Sequence, residues 1–245
     1  MKKAFLSALL VITGMFANQI QAQTFKVGVL AAQVMGFRDG KNALKGFEVE
    51  LAQEICKQIN ISCEIRLQSL SENLRDIKEG DLSFILSSVL ITEERQKQFL
   101  FSQHYMRSAS VYIGLPSQPE HRKLKIAVVR HSMQEAYLRQ KKADTVNTII
   151  FDDITDTYVA LKKGEVDQIL GPAVIQLAFI SEHQGDEFEL LGEPLREHNL
   201  GGKVAVVLPK GSERLQEDVN HALTQILTNG SYNLLNNKYF PFSVY

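Results

Sequence analysis

One arginine, Arg95, stands at the start of a predicted helix that follows a short apolar strand. The strand, LSFIL, ends in the pair Ser87 and Ser88, and Thr92 is the predicted N-cap of the helix. A guanidinium group offers a carboxylate two parallel hydrogen bonds, and helix N-termini also attract anions. These residue types together favour a carboxylate receptor. The alternative is a surface salt bridge from Arg95 to a neighbouring glutamate, because most charged side chains are solvated.

The segments around this stretch alternate between strands and helices. FKVGVL, CEIRLQ and LSFIL are predicted strands, and GFEVELAQEICKQIN and ENLRDIKEG are predicted helices, the second with Gly80 as its C-cap. The same order then repeats in KLKIAVVR, SMQEAYLRQKK, NTIIF, DITDTYVALKKG and VDQILG. Alternation of this kind is typical of parallel sheets covered by helices, so it predicts two α/β lobes. A last strand, KVAVVLPKG, and a long amphipathic helix must pack on one of them.

Two such lobes would bring the candidate residues together in a cleft. Sheets of this kind bind ligands at the carboxyl ends of their strands. If the lobes face each other, Arg95, Ser87 and Ser88 lie on one wall of the cleft. Ser132, the predicted N-cap of SMQEAYLRQKK, lies with its helix N-terminus on the other wall.

Composition and missing motifs narrow the classes of function. A net charge of −1 over 245 residues argues against a nucleic-acid binder, which would normally carry a basic stripe. The sequence contains no P-loop, no dinucleotide-binding glycine pattern, no zinc-ligand spacing and no Gly-x-Ser-x-Gly motif. We therefore predict binding without chemistry, with no catalytic residue, no metal and no cofactor.

The first 22 residues have the layout of a cleaved signal peptide. Lys2 and Lys3 precede the apolar run AFLSALLVITGMF, and Ala22 is a small residue at the predicted cut, so the mature chain would start at Gln23. An uncleaved membrane anchor is the alternative. Export to the periplasm is predicted.

Two cysteines, Cys56 and Cys63, are the whole complement of the chain. In an exported protein an even pair predicts a disulfide, which would here tie the end of a helix to the following strand. A free, buried pair is the alternative.

Three stretches resemble a known family. GFEVELAQEICKQINISC is similar to the pattern GFDxDLAxxxCxxxxxxC, SSVLITEERQKQFLFSQHY to SSxSITExRxxxxxFTxxxY, and NGSYNLLNNKYFPFSVY to DGTYxxxxxKYFxFDVY. These patterns are those of the family-3 periplasmic solute-binding proteins, most closely the branch that binds histidine and lysine/arginine/ornithine. The resemblance covers essentially the whole mature chain, including the cysteine spacing.

The resemblance implies a fold, a domain division and a role. It implies the α/β two-lobed periplasmic-binding-protein fold (type II), with a ligand cleft between the lobes. Lobe 1 would comprise 23–113 and 204–245, and lobe 2 would comprise 114–203, joined by two hinge crossovers. The protein would be a monomer that hands a small carboxylate-bearing solute, an amino acid or a derivative, to an ABC permease in the inner membrane.

The resemblance implies eight ligand-binding positions, and the family's roles carry over to them unevenly. Arg95 matches the arginine that grips the ligand's α-carboxylate, Ser88 matches a serine of the same pocket, and Ser132 matches the helix start that completes the carboxylate site. The other five positions depart from the pattern or only adjoin the pocket. They are Leu90 (in place of a serine), Gln33 (near an aromatic position), Met133 (in place of a threonine), Leu70 and Pro172.

Pro172 is the departure with the largest chemical consequence. The family has an aspartate there, which pairs with the α-ammonium group, and Leu30 likewise replaces an acidic residue that meets a basic ligand. An ammonium buried without its carboxylate is poorly compensated. Either the ligand lacks an α-ammonium group or another residue supplies the anion, with Glu197 as one candidate. Asp167, inside the strand VDQIL, is interpreted as structural.

Two other functions fit the same resemblance. One is an enzyme related to cyclohexadienyl dehydratases, in which His131 would act as the acid or base. The other is a receptor module that signals to a membrane sensor. The altered pocket also fits a receptor that has lost high-affinity binding.

Overall fold

The computed structural model describes residues 24–245. The predicted signal peptide, residues 1–22, lies outside the described residues. Among the helices from residue 24 onward, none combines the length and the apolar character that crossing a membrane requires.

The elements follow the predicted alternation of strands and helices. In chain order they are β1 (Thr24–Leu30), β2 (Phe37–Arg38), β3 (Leu44–Lys45), α1 (Phe47–Gln58), β4 (Ser62–Gln68), α2 (Leu70–Glu79), β5 (Phe84–Leu86), α3 (Glu93–Gln98), β6 (Phe99–Ser108), β7 (Ser110–Gly114), β8 (Leu124–Val129), α4 (Met133–Lys141), β9 (Val146–Phe151), α5 (Ile154–Lys162), β10 (Gln168–Pro172), α6 (Ala173–Glu182), β11 (Glu189–Leu195), β12 (Gly202–Pro209), α7 (Glu213–Thr228) and α8 (Ser231–Tyr239).

Two five-stranded sheets form the two lobes, as predicted. The first has the strand order β4-β1-β5-β12-β6, in which β1 is parallel to β4 and β5, and β12 is antiparallel to β5 and β6. The second has the order β11-β7-β10-β8-β9, in which β8 is parallel to β9 and β10. Each lobe therefore presents the carboxyl ends of its parallel strands at one edge, where ligands bind in sheets of this kind.

The first crossover between the lobes lies earlier than the expected boundary between residues 113 and 114. Strand β7, SVYIG, pairs with β10 and β11 of the second sheet, so the chain passes between lobes at Ala109. Strands β6 and β7 follow each other almost without interruption, and no turn residue marks the change of sheet. The second crossover lies between Leu195 and Gly202, next to the expected start of the final segment at Val204.

The C-terminal helices complete the first lobe. Phe47, at the start of α1, contacts the rings of Tyr105, Tyr232 and Phe240, with ring centroids between 5.1 and 6.4 Å apart. Aromatic side chains bury large areas, and the edge-on contacts with Tyr232 and Phe240 add to that gain. The aromatic ending of the chain is thus a packing element of the first lobe.

The predicted disulfide is confirmed. Cys56, near the end of α1, is bonded to Cys63 in β4, across a sequence separation of 7 residues. The bond joins a helix to the edge strand of the first sheet, the connection expected from the spacing.

Candidate ligand-binding site

Arg95 turns its side chain into the cleft between the lobes. Its backbone N–H donates to the Thr92 hydroxyl, which caps α3 as predicted. Its Nη1 donates to the carbonyl of Leu90 at 3.2 Å in its own lobe, and its Nη2 donates to the carbonyl of His131 at 3.1 Å in the other lobe. Among the described residues, no carboxylate forms a salt bridge with Arg95. The guanidinium therefore carries a charge that no described side chain neutralises.

Arg95 is partly buried in the cleft. Burial lowers the pKa of Arg95 to about 10, and the nearby charge of Glu94 opposes this shift. The group is still protonated at neutral pH. The two bonds to carbonyls use two of the five N–H donors of a guanidinium, which leaves donors for a ligand.

Ser88 is held in place by a buried carboxylate, Glu48. Ser88 has a left-handed backbone, with φ of 50°, and both its N–H and its hydroxyl donate to Glu48 Oε1, at 2.7 and 2.8 Å. The Tyr105 hydroxyl donates to the same oxygen at 2.5 Å. Burial raises the pKa of Glu48, and these hydrogen bonds only partly oppose the shift. Glu48 is thus a positioning residue that the sequence analysis did not single out, although it stands in the quoted GFEVEL motif.

A cavity lies between the lobes, with a volume of about 50 Å³. Arg95, Ser88, Leu90 and Leu70 line it from the first lobe. From the second lobe it is lined by Ser132, Met133 and Pro172, and Ser132 also caps α4 by accepting a hydrogen bond from the backbone of Glu135. Seven of the eight predicted ligand-binding residues therefore meet at one cavity.

The eighth predicted residue, Gln33, lies elsewhere in the cleft. Its Nε2 donates to Glu182 Oε2 of the second lobe at 2.6 Å, and the pair borders a separate groove. Because the amide is committed to Glu182, the structure gives Gln33 a role in joining the lobes. His131 is exposed and borders a third groove, and its contribution to the site is the carbonyl that accepts from Arg95.

Two acidic residues, Asp152 and Asp153, border the cavity from the second lobe, whereas Glu197 is not part of its lining. Asp152 pairs with Arg130 at 2.5 Å. Asp153 is exposed at the start of α5; partial burial raises its pKa, and so does repulsion from acidic neighbours, Asp156 foremost.

Asp167 is engaged outside the cavity, where its carboxylate accepts hydrogen bonds from Arg122 and from the backbone of Lys125. Pro172 ends β10 and begins α6 without a side-chain cap. The position that the family's aspartate occupies thus supplies no anion here.

Gln176, which the sequence analysis missed, is a buried polar side chain at the cavity. It lies on α6 with no measurable exposure, and neither its Oε1 nor its Nε2 has a hydrogen-bond partner among the described residues. A Cβ atom at Gly171 would come within 2.1 Å of Gln176 Nε2, so the absent side chain at Gly171 makes room for the amide. The pairing of a strand-end glycine with a glutamine five residues later was the available signal.

The match to a family model decides the family, because it spans residues 25–242 and therefore both lobes. The chain belongs to the bacterial extracellular solute-binding proteins, family 3. The resemblance inferred from the three quoted stretches is confirmed.

Relatives match over almost their full length. The lysine/arginine/ornithine-binding periplasmic protein of Escherichia coli strain K12 is 28% identical over 258 residues, covering 100% of this chain and 99% of that protein. A putative ABC transporter arginine-binding protein 2 of the same strain is 23% identical over 246 residues, covering 98% and 99%. Histidine-binding periplasmic proteins also match. The relatives named here are binding proteins, not enzymes, and their names are those of the histidine and basic-amino-acid branch that the resemblance indicated.

Solved structures share the two-lobed fold. A Salmonella typhimurium periplasmic binding protein with high arginine specificity superposes with a TM-score of 0.82 at 18% identity, covering 89% of this chain and 100% of that one. An ancestral arginine-binding protein bound to glutamine gives a TM-score of 0.80 at 24% identity, covering 89% and 98%. The predicted fold class is confirmed by these neighbours.

Proposed function

We propose that this family-3 member is the periplasmic binding protein of an ABC importer and that it captures a small carboxylate-bearing solute, an amino acid or a derivative. One observation carries the proposal: the guanidinium of Arg95 faces a cavity between two lobes and has no described anionic partner. Arg95 is partly buried, a charge in such a place without a counter-ion is costly, and a ligand carboxylate would relieve that cost. The names of the relatives, which are amino-acid-binding periplasmic proteins, support the same class of solute.

Lobe closure is the proposed mechanism of capture. Arg95 bonds to Leu90 in its own lobe and to His131 in the other, so the group that would hold the carboxylate also joins the lobes. Gln33 and Glu182 make a second polar contact across the cleft. Separation of the lobes about the crossovers would break both contacts and open the cavity, a hinge motion of the kind that periplasmic binding proteins use. The closed monomer would then dock on a permease in the inner membrane.

A thermal-shift screen tests the proposal. The panel consists of amino acids, their 2-oxo and 2-hydroxy analogues, and small dicarboxylates, each titrated against the mature chain. A ligand present at a hundred times its dissociation constant adds about 2.7 kcal/mol to the free energy of unfolding, which is readily seen as a higher Tm. Stabilisation by a carboxylate that disappears in Arg95→Ala would support the proposal. A panel with no carboxylate that stabilises the protein in an Arg95-dependent way would refute it.

A further inference from the structure

We propose that the preferred ligand is a small monocarboxylate with a neutral oxygen at C2, a hydroxyl or an oxo group, and that Gln176 recognises this oxygen. The inference rests on the proposed function, since it assumes that the cavity holds a carboxylate at Arg95. The proposed ligand has a neutral hydrogen-bonding group where an amino acid has its α-ammonium group. Gln176, on α6, is the residue that would determine this specificity.

The first argument is the balance of charge in the cavity. Arg95 supplies one unneutralised positive charge, which one carboxylate balances. An amino acid would add an ammonium group, which needs an anion in a poorly solvated site. Pro172 has no side-chain acceptor, Asp152 is already paired with Arg130, and Asp153 is exposed at the border of the cavity, where water solvates its carboxylate. A ligand that carries a single negative charge therefore matches the described lining better than a zwitterion does.

The second argument is the unused hydrogen-bonding capacity of Gln176. The other buried polar side chains of the lining have partners: Ser69 bonds with Glu72, and Gln134 donates to Ser110. Gln176 is the cavity-lining residue whose buried polar atoms lack a partner among residues 24–245. Buried polar groups left unpaired cost free energy, and a ligand atom that bonded with this amide would remove that cost.

The amide chemistry limits what that ligand atom can be. Nε2 donates and Oε1 accepts, so an oxo group can accept from Gln176, and a hydroxyl group can either accept or donate. An ammonium group could donate to Oε1, but a neutral acceptor does not compensate its buried charge. A neutral oxygen is the partner that satisfies the amide without adding charge.

The rest of the lining sets the size and polarity of the ligand. Most of the side chains that face the cavity are apolar, among them Leu30, Leu70, Leu90, Met133, Ile154 and Ile175. A volume of about 50 Å³ corresponds to roughly four water molecules, since each needs on the order of 10–15 Å³ in this measure. Together these features favour a short aliphatic side chain on the ligand.

Calorimetry with matched five-carbon acids tests the inference. The probes are 2-hydroxy-3-methylbutanoate, 2-oxo-3-methylbutanoate, L-valine and 3-methylbutanoate, and the corresponding three-, four- and six-carbon sets separate size from chemistry. At the best-fitting length, the better of the oxygenated acids should bind at least about a hundredfold more tightly than the amino acid, the cost of an unpaired buried ammonium. It should bind about tenfold more tightly than the unsubstituted acid, the worth of one neutral hydrogen bond.

The variant Gln176→Leu isolates the role of the amide. It should abolish the preference for the oxygenated acid over the unsubstituted acid while leaving the affinity for the unsubstituted acid unchanged. A merely structural role would weaken all acids equally, which would overturn the proposal. Gln225→Leu, at an exposed position on α7, is the matched control and should bind as the parent does. If Gln176→Leu does not fold, Gln176→Met replaces it.

A second substitution, Pro172→Asp, places an anion at the cavity. It should shift the binding preference from the oxygenated acid toward the amino acid. Tighter binding of the amino acid by the parent protein would overturn this inference alone, and Asp153→Asn would then show whether Asp153 supplies the anion. If no acid binds in an Arg95-dependent way, the proposed function itself fails. The two failures are thus distinguishable in one set of titrations.

Discussion

Replacement of Arg95 by alanine is the most direct test of the site. The substitution removes the one cavity-lining cation that no described side chain neutralises, together with its bonds to the carbonyls of Leu90 and His131. Without ligand the effect on stability should be small, within about 1 kcal/mol. The two lost bonds, worth roughly 0.5–1.5 kcal/mol each, are offset because a poorly solvated charge is removed and both carbonyls can then bind water.

The effect on binding should be much larger. Truncating one partner of a buried charge pair costs about 2–5 kcal/mol, because the remaining charge is left desolvated and unpaired. For a bound carboxylate this corresponds to a loss of roughly 30-fold to several-thousand-fold in affinity. Arg95→Lys should recover only part of the loss, since an ammonium group cannot form the two parallel bonds of a guanidinium.

Calorimetry with 2-hydroxy-3-methylbutanoate measures both variants against the parent. Arg214→Ala, which removes an exposed arginine on α7, controls for the change in net charge and should bind as the parent does. Thermal unfolding without ligand confirms that each variant is folded. If the folded Arg95→Ala protein binds the acid as tightly as the parent, then Arg95 does not hold the carboxylate and the reasoning about the cavity is refuted.

Three further predictions concern the scaffold around the cavity. Loss of the Cys56–Cys63 bond in the double serine variant should lower the free energy of unfolding by about 2–3 kcal/mol, measured by urea denaturation; an unchanged midpoint would contradict this. Burial raises the pKa of Glu48 above its ordinary 4.5, so its protonated form is favoured on folding and the parent should lose stability as the pH rises above that value. Glu48→Gln should not show this pH-dependent loss of stability. If the free energy of unfolding changes with pH in parallel in the two proteins, the loss does not come from Glu48. Gly171→Ala should displace the amide of Gln176, whose Nε2 would lie 2.1 Å from the new Cβ. This variant should weaken binding of the 2-hydroxy acid with little change in Tm, because the end of a flexible side chain can move; full retention of affinity would count against the role of that amide.

Local signals in the chain were sufficient for the elements and for part of the site. Strand and helix periodicity predicted the two α/β units, and the hydroxyl groups of Thr92 and Ser132 cap their helices as expected. Gly80 ends α2 in a left-handed conformation, which glycine adopts without steric cost. These features depend on neighbours within a few residues, so sequence order alone carries the information.

The pairing of strands across the two lobes was decided only by the fold. Strands β6 and β7 follow one another in the sequence with no turn signal, yet they belong to different sheets. Which sheet a short apolar strand joins depends on partners far along the chain: β12 for β6, and β10 and β11 for β7. The position of the first crossover therefore could not be obtained from local patterns.

The composition of the cavity was likewise a property of the tertiary structure. The sequence by itself identified Arg95 as a carboxylate-binding candidate, and the resemblance to the family identified Pro172 as a missing anion. Only the fold showed that Gln33 bonds to Glu182 instead of lining the cavity, and that Gln176 lies buried at the cavity without a hydrogen-bond partner among the described residues. The physical reason is that burial and hydrogen-bond satisfaction are set by contacts between elements distant in sequence, such as α6 and the loops of the opposite lobe.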